Sequence, residues 1–264
     1  MTAKEKNEAM WAYLFVAPTI LGLIILNYYP AVDTVIQSFC KTGDFGKGNV
    51  FVGLANYQRA FADPEIWQSL LNTIKYAIIE VPFGVVIALI LAVFLNNKLK
   101  GTSFFRTVFF LPMVCAPAAV AMVWKWLYNQ QFGLLNNIFH TNVAWISDPK
   151  IAWISIGVIG VWSIIGYNMV LFIIMMPLTR SSMVSLGIFT ALFAFKDLMW
   201  PMIVCTSVQT TTLAAGLAKA QGQYGSNYPQ MMAAAVLAVV PMIVIYVIFQ
   251  KQFVEGIATS GGKL

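Results

Sequence analysis

The chain has 264 residues, 59% hydrophobic and 10% charged, with a net charge of +6 and a mean hydropathy of +0.76. A water-soluble domain of this length needs far more charge to cover its surface, so a soluble enzyme or soluble binding module is excluded. The positive balance requires no nucleic acid as partner: no basic stripe interleaved with aromatics runs through the chain, and contact with anionic lipid accounts for the charge.

A bilayer core of about 30 Å takes roughly 20 apolar residues per helix. Six segments meet or approach that length: 11–30, 70–95, 104–128, 151–176, 184–206 and 231–250. They are too long for β-barrel strands and lack sustained two-residue alternation. The pattern predicts an all-α, polytopic membrane protein with six transmembrane helices in one domain over 1–264.

The first segment carries Pro18 and ends in Asn27-Tyr28-Tyr29-Pro30, with no clear small-x-small cleavage site, so it reads as a retained span and not a signal peptide. In the following loop, Asp63-Pro64 reads as a helix start with proline at the first helical position. Pro82 and Gly84 interrupt span two, which membrane helices tolerate when neighbours satisfy the freed backbone groups. Residues 96–101 form a tight turn into span three, whose far end holds Lys125 between Trp124 and Trp126, a lysine able to snorkel at the interface. Span six offers Ala234 and Ala238 as a small-residue face for close helix approach.

Lys4, Lys6, Lys98, Lys100, Arg106, Arg180, Lys251 and Lys263 fall on one side of this arrangement. Lys41, Lys47, Arg59, Lys150 and Lys219 are spread over longer loops on the other. The denser side is expected to be cytosolic, with both termini on it.

Cys40, Cys115 and Cys205 form no CxxC pair, and His140 alone makes no metal site. Gly43-Asp44-Phe45-Gly46-Lys47 has the wrong spacing for a phosphate loop, and no nucleophilic triad is suggested. The chain is therefore expected to be no enzyme and to bind no cofactor or metal itself. Uphill movement of a solute would draw on a partner or an ion gradient.

Ionisable and polar groups at membrane depth are candidates for a solute path. Lys75 and Glu80 lie in span two. Lys196 and Asp197 lie inside span five, about 100° apart around a helix, beside Trp200. In span four, Trp162, Tyr167 and Asn168 offer aromatic stacking and amide hydrogen bonds suited to a sugar, or serve packing between helices.

The strings FVGLANYQRAF (51–61), SLLNT (69–73), FFRTVFFLP (104–112), VWKWLYN (123–129), FGLLN (132–136) and GYNMVLF (166–172) resemble the first permease type of carbohydrate ABC importers, the maltose and glycerol-3-phosphate class. From about 176 to 264 the chain resembles the second, partner type instead, through PLTR (177–180), LGIFT (186–190), FKDLMWP (195–201), TTLAAGLAKAQGQYG (211–225), MAAAVLAVVP (232–241) and QKQFVEGIATSGGK (250–263). Residues 11–172 thus carry one type and 176–264 the other, with a junction within 172–176.

This resemblance implies a half-transporter in a bacterial or archaeal plasma membrane. Its expected partners are a sister permease (or a second copy of itself), two ATPase subunits that use ATP, and an extracytoplasmic solute-binding protein. Its expected cargo is a carbohydrate. The resemblance places Lys196, Asp197 and Trp200 near the translocation path. It makes Pro177, Arg180, Gln252, Phe253, Glu255 and Gly256 candidates for ATPase contact. In the family, a cytosolic loop with a Glu-Ala-Ala motif on a short coupling helix lies between spans four and five and docks into the ATPase. Here 177–182 leaves only a hairpin, so impaired coupling is expected. Recombination between sister genes, deliberate design or misassembly would each produce such a join. A non-transporting relic and a self-contained secondary transporter remain as alternatives.

Overall fold

In the computed structural model, residues 3–42, 48–97, 101–175, 180–205, 207–223 and 228–261 are described. They divide into two compact units, 1–62 with 224–236 and 63–223 with 237–264.

The first unit opens with helix α1 (Ala3–Leu23), passes through a π-helical turn (Ile24–Tyr28), and continues as α2 (Tyr29–Ser38). Strands β1 (Cys40–Thr42) and β2 (Gly48–Phe51) pair antiparallel, Cys40 opposite Phe51, and helix α3 (Ala55–Ala62) follows. Asn56 of the LANY string explains how α2 ends. Its amide donates to the Ser38 carbonyl at 2.9 Å and the Cys40 carbonyl at 2.6 Å. A carbonyl left open at the helix terminus, that of Ser38, is thereby satisfied, and the start of β1 is tied to α3.

The second unit begins with α4 (Pro64–Asn96), which starts where the sequence places it: Pro64 is in the first turn and the Asp63 carboxylate accepts from the Glu65 backbone N–H at 2.9 Å. The helix continues through Pro82. Then come α5 (Thr102–Val114), α6 (Pro117–Leu127), α7 (Leu134–Phe139), α8 (Ala152–Met175), α9 (Arg180–Lys196), α10 (Met199–Val204) and α11 (Leu213–Gln223). Helix α12 (Tyr228–Gly261) has residues in both units.

Among the described residues, five helical stretches are long and apolar enough to cross a membrane: Asn7–Ser38, Pro64–Asn96, Ala152–Ile174, Ser185–Val204 and Tyr228–Lys251. A sixth exists if α5 and α6 count together. The all-α, multi-pass architecture stands, and the expected third span differs in form. Residues 104–128 are not one helix, because α5 and α6 meet at a bend of 97°. Pro117 disfavours helical geometry at the preceding residue, and Cys115 and Ala116 are extended. Span five is likewise interrupted, between Lys196 and Met199.

The core of the second unit lies where α4 packs along α8, and glycine permits the approach. A Cβ at Gly157 would stand 2.8 Å from Ile79, and one at Gly84 would stand 2.8 Å from Ile164. At Gly166 a Cβ would collide with the Phe109 backbone carbonyl of α5. Ala88, Ala92, Leu95, Met169, Phe172 and Leu186 form one buried apolar cluster. Tyr76, Ile156, Ile159, Trp200 and Val204 belong to another.

Candidate functional site

Three groups of polar side chains inside the second unit bear on a candidate site. The first ties α4 to the segment before α11. Asn72 donates through Nδ2 to the carbonyls of Gln209 (2.8 Å) and Thr211 (3.0 Å), and its Oδ1 accepts from Gln68 at 3.1 Å. The Thr73 hydroxyl donates to the Ser69 carbonyl and accepts from the Leu213 N–H at 2.8 Å. Lys219 completes the group, its ammonium donating to the Cys205 carbonyl at 2.6 Å. Cys205 closes the C-terminal end of α10, where a cation is favoured by the helix dipole.

The second group clips α8 to α9. Asn168 is fully buried and its Nδ2 donates to the Thr190 hydroxyl at 3.1 Å. That hydroxyl donates back to the Leu186 carbonyl at 2.9 Å.

The third group lies at the break between α9 and α10. Asp197 stands just before the short α10; its carboxylate accepts from the Trp200 backbone N–H, and its Oδ2 accepts from the Tyr76 hydroxyl at 2.8 Å. One turn further along α4, Glu80 is only 4% exposed. It lies within reach of the Tyr76 hydroxyl and close enough to Asp197 for their charges to interact. Its Oε2 has no hydrogen-bond partner. Gly160 of α8 closes over this pair: a Cβ there would be 2.5 Å from the Tyr76 hydroxyl and 3.0 Å from the Glu80 carboxyl carbon.

The residues singled out in the sequence are not one constellation. Asp197 and Trp200 come together through the Trp200 backbone N–H at the start of α10. Lys196 is the last residue of α9 and is exposed. Tyr167 meets Phe193 edge-on with ring centroids 6.0 Å apart. Trp162 stands edge-on to Trp124 at 5.5 Å, in a row that continues through Tyr128 to Trp145. Of the ATPase-contact candidates, Pro177 lies outside the described residues and Arg180 opens α9. Gln252, Phe253, Glu255 and Gly256 fall in the last turns of α12, and their side chains are outside the described part. The sequence reading did not join Glu80 and Tyr76 to Asp197. The available signal was their four-residue spacing, which puts both on one face of α4.

This fold is that of an ABC-transporter membrane subunit. A chain of the bacterial alginate ABC transporter, solved with an alginate pentasaccharide-bound periplasmic protein, superposes with a TM-score of 0.77 at 14% identity, covering 93% of this chain and 94% of that one. In sequence the chain is similar to permease proteins of ABC transporters. It is 35% identical over 170 residues to YurN of Bacillus subtilis, described as a probable ABC transporter permease protein, and 34% identical over 170 residues to the lactose transport system permease protein LacF of Rhizobium radiobacter. Both alignments cover 61% of this chain, and it spans 58% and 55% of those relatives' lengths. No family model matches the chain.

Proposed function

We propose that the chain is the membrane-spanning permease subunit of an ATP-driven, binding-protein-dependent carbohydrate importer, and that its coupling to the ATPase is impaired. The observation that carries this reading is a permease fold in which α8 ends at Met175 and α9 begins at Arg180. The intervening residues are too few for the coupling helix that the family resemblance leads one to expect there. ATP would be hydrolysed in partner subunits, and the chain would supply no cofactor site of its own. A sister permease or a second copy would complete the pore. An extracytoplasmic binding protein would deliver solute at the plasma (inner) membrane.

The same short connection favours a second reading, a hybrid or relic that associates with a sister permease and transports nothing. Co-expression with the cognate ATPase and sister permease separates the two. Under the first reading, detergent pull-down retains the ATPase, with ATP-stimulated sugar uptake well below that of a chain carrying a restored loop. Absence of the ATPase from the complex supports the second reading. Normal uptake without the loop overturns the impaired coupling.

A further inference from the structure

The names of the relatives leave the chemistry of the solute open, since lactose is neutral and alginate is acidic. The group at the α9–α10 break bears on this choice. Span five is unwound there, and backbone irregular at membrane depth is tolerated where it is buried in protein or lines a cavity. Two carboxyl groups, Glu80 of α4 and Asp197 of the break, converge on the Tyr76 hydroxyl. Among the described residues, neither has a cationic side chain bonded to it. Lys196, the neighbour of Asp197 in the chain, is exposed.

The unpartnered Glu80 Oε2 adds an independent observation. A buried polar atom without a partner carries a desolvation cost that nothing in the protein offsets. The buried amides of Asn72 and Asn168, by contrast, are hydrogen-bonded to neighbouring segments. An oxygen left open at a broken span is suited to accept a hydrogen bond from something that comes and goes.

We propose that Glu80 and Asp197 form an acceptor-rich selectivity point on the solute path, one that takes neutral, hydroxyl-bearing solutes and repels those carrying carboxylate, phosphate or sulfonate. The proposal rests on the permease reading above. Sugar hydroxyls donate to Oε2 and to the free lone pairs of Asp197, while an anionic group meets the Asp197 carboxylate and no cation. Glu80 acts here as a specificity residue, and Tyr76 holds the two carboxyl groups in register.

The test uses the full chain in membranes with Cys40, Cys115 and Cys205 replaced and a single reporter, Ser163→Cys. Ser163 lies one turn beyond Gly160 on the same side of α8. The probes are the cationic ethylammonium and anionic ethylsulfonate methanethiosulfonates, with rates normalised to a free thiol. The proposal expects the cation to react at least about tenfold faster, the scale of charge focusing in a low-dielectric cleft. It also expects Asp197→Asn to bring the ratio most of the way to one, and Glu80→Gln to shift it by a smaller amount. If both probes react and neither substitution moves the ratio, the selectivity point is overturned while the solute path survives. If neither probe reacts, water does not reach this place, and the path through it falls together with the proposal.

Discussion

Asn72 and Glu80 lie two turns apart on α4 and are buried to similar extents, yet they are treated in opposite ways. Asn72 has both its amide oxygen and its amide nitrogen engaged, and the carbonyls it satisfies belong to a segment with no regular structure of its own. Glu80 has an oxygen with no partner. The first arrangement is what a structural polar group in a membrane protein requires: the irregular backbone of 207–212 is tolerated because α4 side chains complete it. The second leaves free energy unclaimed in the resting protein. Burial alone therefore does not separate scaffold from site.

That contrast can be broken by substitution, beginning where the packing is tightest. Gly166→Ala would force a methyl group into the Phe109 backbone, which cannot rotate away, and should cost about 3 kcal/mol of stability in a detergent unfolding titration. Asn72→Leu keeps the volume but strips two buried carbonyls of their donor, for an expected loss of about 2 kcal/mol in the same assay. Asn168→Leu removes one interhelical bond to Thr190 and should cost about 1 kcal/mol, near the average measured between membrane helices. Glu80→Gln should go the other way. Removing a buried carboxylate that lacks a cationic partner is expected to raise the unfolding midpoint slightly, by about 0.5–1 kcal/mol. A loss as large as that of Asn72→Leu would make Glu80 part of the scaffold and erase the distinction.

Much of the fold was legible from hydropathy, because a helix must satisfy its own backbone across lipid and leaves an apolar run as its trace. The start of α4 was legible too, since Asp63-Pro64 acts locally. The break between α5 and α6 was not. Cys115 and Ala116 are as apolar as a helix interior, so hydropathy runs smoothly over the bend, and only Pro117 marks it. The site was hidden for a different reason. Tyr76 and Asp197 are 121 residues apart in the chain, and no local pattern reports a pairing of that range. Several strings that carry the family resemblance proved to be hydrogen-bond hubs, among them Asn56 in LANY, Asn72 in SLLNT and Asn136 in FGLLN.

Asn136 shows what such a hub does. Its amide donates to the Gln130 and Val143 carbonyls, and its Oδ1 accepts from the Thr141 hydroxyl, the Val143 N–H and the Trp145 indole. A loop from 130 to 145 is thus organised around one side chain in place of a strand or a long helix. Evolution acting on such a loop is unevenly free. The surface-facing positions can drift in charge and size without disturbing the shape, while a single change at the keystone dissolves it. Variation among descendants of this sequence should then surround Asn136 and leave it untouched, letting the exterior face adapt to new contacts while the loop keeps its outline.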